Sequence, residues 1–472
     1  MPRLRRLSLC ATLLAVLAWP RPAAAQTVPD FDAARDEAVA TLVDLIRINT
    51  TSPPGNETEV AEYVKRVLAE EGIEGQIYAK DPTRGNLVAR LPGNGTKEPL
   101  LILAHSDVVG AELESWTGDP FAGTIEDGYV YGRGASDDKD MIAAALQVML
   151  MVKRSGRVLD RDIILLIEAG EEGATEFGID YMVENHLDKI RAEFALNEGG
   201  TIHQTEDGSV DYVVVGATEK VPWRQIKLVA RGTAGHGSQP RLDNPVVRLA
   251  AAVAKVGAHQ MPARLNEVTR EYFKRLAEIS PPEQAALYRN IEDPTRGPQI
   301  EEEFRRNDIA ANSTLRTSIS PNIIQGGFRY NVIPSEAEAT LDVRALPDED
   351  MDAFLDELRR IIDDPLVEVT PPVSWRPSAP PSPLSSDLFL ALEAAQARMF
   401  PGAITLPTMS TGATDSAQLR AAGIPTYGIG AMARDEDSRA HGNDERVSVE
   451  GMGTFVEYIW WAVMEVAGRP AS

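Results

Sequence analysis

The chain reads as an α/β protein: a mixed, mostly parallel sheet with flanking helices, interrupted by an inserted α+β unit. Three observations lead there. Helical and strand-like runs alternate from about residue 30 to 215, the pattern of a layered fold with a largely parallel sheet. From Trp223 to Arg231 polar and apolar residues alternate instead, as in an antiparallel strand with one face in water. A proline-rich stretch at 371–383 then precedes a return to helix–strand alternation.

Residues 1–25 stand apart. Arg3, Arg5 and Arg6 precede an apolar run from Leu7 to Trp19, and Ala23, Ala24 and Ala25 offer a small-residue cleavage site. This is the pattern of a secretory signal peptide, and the run is short for a membrane span. Helical periodicity follows over Ala33–Ile48 and Glu57–Glu70, then buried strands over Asn86–Leu91 and Leu100–Ala104. Asp137–Lys153 and Phe177–Ile190 read as helices; Asp162–Ile167, Phe194–Leu196 and Tyr212–Val215 read as strands. These close a first block, 26–221.

The inserted unit, 222–373, holds the alternating strand, a helix over Asn244–Ala258 and a polar helical stretch over Arg264–Asn307. Strands at Thr317–Ile324 and Ala337–Arg344 and an amphipathic helix at Asp348–Ile362 complete it. The last block, 374–472, is expected to hold helices over Asp387–Met399, Ser416–Ala422 and Met452–Val466 and a strand over Thr426–Ile429. At 472 residues the chain exceeds what one core serves. Its apolar content of 43% argues against disorder.

Removal of the leader would take the formal charge from −24 to −28 and remove Cys10, the sole cysteine. An acidic, disulfide-free mature protein in a secreted or periplasmic setting follows. Nucleic acid and, after cleavage, membrane are poor partners for such a charge.

Five candidate ligands lie at the ends of strand-like runs: His105, Asp137, Glu172, Glu198 and His441. Two imidazoles and three carboxylates can hold two divalent cations with positions left for water and substrate. His105 and Asp107 are two apart on a strand and share a face, so Asp107 is placed to fix the ring. Asp137 opens a helix, where a carboxylate can bridge two cations, although taken alone an N-cap is the better reading. Glu171 and Glu172 follow a buried strand at its carboxyl end, where such sheets place ligand sites. One can bind metal while the other accepts a proton from water; an acidic loop is the plainer reading. Glu198 precedes Gly199–Gly200, and His441 precedes Gly442. Four of these lie in the first block and His441 in the last, so one site requires the middle unit to be an insertion.

In this order the residues resemble the M20 family of metallopeptidases, with Trp116, Asp119–Pro120–Phe121, Gly235–His236–Gly237–Ser238 and Asp342–Val343–Arg344 adding to the match. The resemblance implies a dizinc exopeptidase-like catalytic domain, 26–221 with 374–472, and an inserted lid. It implies one zinc on His105, Asp137 and Glu198 and another on Asp137, Glu172 and His441. Cobalt or manganese would suit the same donors. Glu171 would be the base, Asp107 the orienting partner of His105, and the Asp137–Asp138 peptide cis. His236, otherwise a turn histidine, would stabilise the oxyanion. Arg344, otherwise a surface ion pair, would bind a substrate carboxylate, with Asn331 a further contact. Thr218–Glu219–Lys220 and the stretch 264–307 look most like the carboxypeptidase S and N-acyl-amino-acid hydrolase branch. The expected substrate is a small peptide or N-acyl amino acid cleaved beside a free carboxylate. The alternatives are a non-catalytic peptide- or amino-acid-binding relative, and a desuccinylase or dipeptidase. Relatives often form homodimers through the lid, which the stretch 264–307 could obstruct.

Overall fold

In the computed structural model the described residues are 28–437 and 439–468; the proposed signal peptide lies outside them. The central sheet has ten strands. From one edge they run Gly75–Ala79, Gly85–Leu91, Ile163–Glu168, Leu100–His105, Phe194–Asn197, Thr426–Gly428, Val210–Glu219, Thr201–Gln204 and Met432–Ala433. The tenth, Ile404–Ser410, pairs in parallel with Val210–Glu219. The middle is parallel, with Leu100–His105 between Ile163–Glu168 and Phe194–Asn197, and antiparallel pairs flank it.

The central strands are apolar almost without break, and all six residues of Leu100–His105 and of Ile163–Glu168 are buried. That is the mark of strands covered on both faces. Side chains alternate between two cores. Leu100, Ile102, Ala104, Ile163, Leu165 and Ile167 meet helices Phe31–Arg47, Lys139–Ser155 and Val449–Ala467. Leu101, Leu103, Ile164 and Leu166 meet helix Ile179–Ile190 and Leu419. Trp460 is fully buried in the first core, the packing role its helix suggests.

The lid is a second, five-stranded sheet with the order Ser318–Gly326, Glu336–Ala345, Val221–Arg231, Val367–Val369, to which Ser374–Trp375 adds on Val221–Arg231. It therefore spans Val221 to Trp375, one residue earlier and two later than the sequence boundaries. Helices Pro245–Ala258 and Met351–Ile362 cover one face, packing Leu249, Val256, Phe354 and Leu358 against Ile226, Leu228, Leu341 and Val343. The polar stretch from 264 resolves into four helices, Glu267–Ile279, Pro282–Arg289, Gly297–Asn307 and Ile309–Thr314. They enclose a small core of their own around Phe273, Tyr288 and Phe304. Arg275 ties the first of them to Glu393 and the Thr405 carbonyl of the catalytic domain. Among the described residues no helix is long and apolar enough to cross a membrane.

Candidate metal centre

The carboxyl ends of the central strands converge on one point. His105 ends its strand, and Glu171 and Glu172 follow Ile163–Glu168. Glu198 follows Phe194–Asn197, and Asp137 stands two residues before helix Lys139–Ser155. His441 arrives from the last block at a positive φ of 62°. The Asp137–Asp138 peptide is cis.

The side chains fall into two donor groups, His105–Asp137–Glu198 and Asp137–Glu172–His441; in each, one ligand atom per residue lies within 4.8 Å of the others. Asp137 is common to both. Its Oδ1 is 3.1 Å from His105 Nε2 and its Oδ2 is 3.1 Å from His441 Nε2. Glu172 Oε1 is 2.9 Å from the same His441 nitrogen. One carboxylate thus presents one oxygen to each half of the site.

Electrostatics agree with a place built for cations. Burial and the nearby Glu171 push the Glu198 carboxyl well up. His441 is raised to about 10 by its hydrogen bonds to Asp137 and Glu172. His105 is also raised: burial opposes its charge, but Asp107 and Asp137 outweigh it. Protons on the histidines thus balance carboxylates that a bound cation would otherwise neutralise. Imidazole nitrogens and carboxylate oxygens are donors that zinc accepts, so the residues fit a pair of divalent ions.

The supports around the donors differ in detail from the sequence expectation. His105 Nδ1 lies 3.0 Å from the main-chain carbonyl of Asp107 and 3.5 Å from its carboxylate. The carboxylate instead accepts from the Glu171 and Glu172 N–H groups at 3.0 and 3.1 Å. Asp107 therefore holds the ring mainly through its backbone and pins the glutamate loop through its side chain. Asn197 is turned away, donating to Ser416 Oγ at 3.0 Å, which leaves Glu198 as the donor. His203 lies in the strand Thr201–Gln204, paired with Asp211 at 2.6 Å and stacked on Tyr212.

Glu171 lines a cavity of about 580 Å³ together with Asp137, Glu172, Glu198, His441 and, from the lid, Arg344. Burial pushes its carboxyl up to about 8, against the lowering effect of Arg376. Arg344 is paired with Asp342 at 2.7 Å. His236 and Asn331 do not line this cavity. They sit on the small lid ribbon where Gly235–His236 pairs with Val332–Ile333. His236 is exposed, its Nδ1 accepting from the Ser238 N–H at 3.1 Å.

Two supporting residues escaped the sequence reading. Glu445 is fully buried and accepts from Gly134 N, Ser136 N and Arg133 Nη1 at 3.0, 2.8 and 2.6 Å. It fastens the loop carrying Asp137 to the segment carrying His441, and its position four residues after His441 was the available signal. Arg376, inside the proline-rich boundary, reaches Glu171 and Asp415; nothing in that stretch announced it.

Two donor groups that share a carboxylate, opening on a cleft beside a further buried glutamate, define a binuclear metallohydrolase centre. The chain belongs to peptidase family M20/M25/M40, whose sequence profile it matches over residues 101–463. It is similar to the N-fatty-acyl-amino acid synthase/hydrolase PM20D1 of Xenopus tropicalis, with 27% identity over 90% of this chain and 85% of that one. It is also similar to the probable carboxypeptidase S-like 2 of Dictyostelium discoideum, with 28% identity over 77% and 70%. The fold is that of the M20 family metallo-carboxypeptidase Sso-CP2 from Sulfolobus solfataricus, at a TM-score of 0.68 and 21% identity over 91% of this chain and 99% of that one.

Proposed function

We propose that this hydrolase is a dizinc enzyme that cleaves the amide bond of an N-acyl amino acid or small peptide beside a free carboxylate. The observation that carries the reading is Asp137, with one oxygen 3.1 Å from each histidine. His105, Asp137 and Glu198 would hold one ion; Asp137, Glu172 and His441 the other. Bound there, the pair would lower the pKa of a water and polarise the scissile carbonyl.

The chain's own groups do the rest. Glu171 takes a proton from the attacking water and returns it to the leaving amine; its raised pKa suits both acts near neutral pH. Arg344, in the same cavity, offers a guanidinium to the substrate carboxylate. Asp107 fixes His105 and the Glu171–Glu172 loop. His236 supplies an oxyanion donor, and Asn331 a substrate contact, from the lid.

Because His236 lies outside the cavity of its own chain, we assign the working state to a homodimer. The free edge strand Ser318–Gly326 exposes Ile323 and Ile324, and Val247, Phe328 and Tyr330 are exposed beside it. The first of the helices from 267 to 314 is tied to the catalytic domain through Arg275, and Ser318–Gly326 is exposed along most of its length. The resemblance to both an N-fatty-acyl-amino acid hydrolase and a carboxypeptidase S-like protein supports the substrate class. The sequence of residues 1–25 supports a secreted or periplasmic location.

The test is mass-spectrometric detection of products after zinc-loaded mature protein meets pooled dipeptides and N-acyl amino acids, with Glu171→Ala alongside. Free amino acid released by the wild type and not by the variant is the expected result. No release by either, with two zinc ions per chain verified, would overturn it.

A further inference from the structure

Arg376 is the only residue that binds both the main chain and the side chain of Glu171 among the described residues. Its Nη2 donates to Glu171 Oε1 at 2.7 Å and to the Glu171 carbonyl at 3.0 Å, and its Nη1 donates to Asp415 Oδ1 at 2.6 Å. All three side chains are buried. A guanidinium fork is rigid and planar, so holding Asp415 with one arm fixes where the other arm places Glu171.

The grip is one-sided. Oε1 is engaged, and among the described residues no hydrogen bond engages Glu171 Oε2. Arg376 itself lines the cavity with Asp137, Glu172, Glu198 and His441, which a cation serving only the core would not need to do. Its place in the chain is also telling. It directly follows Trp375, whose strand pairs with Trp223 and Arg224 of the lid. The clamp on Glu171 is therefore mounted on the segment by which the chain returns from lid to catalytic domain.

We propose that Arg376 is the positioning residue for Glu171: it fixes Oε1 and the local backbone so that Oε2 is the oxygen that exchanges protons with water and leaving amine. This inference rests on the hydrolase reading above. Glu171 is the group that changes protonation; Arg376 stays charged, donates the same two hydrogen bonds throughout, and passes no proton.

The experiment compares zinc-loaded wild type, Arg376→Ala and Arg376→Lys on whichever N-acyl amino acid or dipeptide the wild type turns over fastest. Zinc content and thermal melting are recorded for each. With zinc retained at two per chain, Arg376→Ala should lose about 100-fold in kcat, the scale of a group displaced by about 1 Å. KM should stay within about threefold, because substrate binding is untouched. Added guanidinium chloride at non-denaturing concentration should restore part of the Arg376→Ala rate, and Arg376→Lys, which keeps charge but not the fork, should fall between the two.

An Arg376→Ala protein that folds, holds two zinc ions and keeps the wild-type kcat would overturn the proposal, as would a KM rise with kcat intact. If Arg376→Ala does not fold, Arg376→Lys decides, and a wild-type kcat there overturns it. A wild type that binds two zinc ions and turns over nothing in the panel overturns the hydrolase reading itself, and this proposal with it. Turnover by the wild type that is insensitive to Arg376 removes this proposal alone.

Discussion

Five donor side chains converge at the strand ends of the catalytic domain, and three of them are held by something behind them: His105 by the Asp107 carbonyl, the Asp137 loop by Glu445, the Glu172 loop by the Asp107 carboxylate. The three lid residues singled out by sequence are held otherwise. Arg344 is half-exposed and paired with Asp342, and His236 stands in water on a two-residue ribbon. The first region is organised before any ligand arrives. The second gains its chemistry only from where the lid, or a second copy of it, comes to rest.

That contrast is open to direct attack. The largest effect should come from Asp137, the carboxylate common to both donor groups. Asp137→Ala should lose both zinc ions by elemental analysis and at least about 10⁴-fold in kcat, the upper range for a lost acid–base group alone. If one ion stays bound with normal affinity, Asp137 does not bridge.

Glu445→Ala tests whether the cradle is preorganised by its supports. It leaves the fully buried Arg133 without its carboxylate partner, and breaking a buried pair costs about 3–5 kcal/mol. Urea unfolding of the zinc-free protein should show that loss. A change below about 1 kcal/mol would mean that the loop is held by other contacts.

On the lid, His236→Ala should leave zinc content and unfolding unchanged while lowering kcat by about 10²–10³-fold, as for a lost oxyanion donor. Mixing His236→Ala chains with Glu171→Ala chains should recover activity if the histidine serves the neighbouring copy. No recovery in a verified mixed dimer would return the histidine to its own chain.

The smallest effect concerns the hinge. Lys220 is fully buried where the chain enters the lid, its Nζ donating to Ser313 and Ser318 Oγ. Burial, with Arg344 and Arg316 nearby, lowers it to about 7, against about 10.4 for a free lysine. Between these values the unfolded chain carries a proton that the native one has shed. Stability should therefore rise with pH across that window, by at most about 1.4 kcal/mol per pH unit, and the full cost is present below pH 7. Lys220→Met should remove this slope in unfolding measured from pH 6 to 9; an unchanged slope would assign it to other groups.

Much of this was legible in the sequence because the physics was local. Unbroken apolar runs such as Leu100–Ala104 are short enough to read as covered strands rather than buried helices, and a ligand at their carboxyl ends inherits its place from the sheet. Ile404–Ser410 was not foreseen, since a run containing Pro407 reads poorly as a strand; it forms because Val210–Glu219 offers it an edge. The donors declared themselves by residue type and by resemblance. Glu445 and Arg376 did not, because a buried ion pair is defined by a partner distant in sequence: 312 residues separate Arg133 from Glu445 and 205 separate Glu171 from Arg376.

The most direct test of the central claim is anomalous diffraction at the zinc edge from crystals of zinc-loaded protein. Two peaks are predicted, one among His105, Asp137 and Glu198 and one among Asp137, Glu172 and His441, with an Asp137 oxygen on each. A single peak, or a pair that does not share Asp137, would contradict the account.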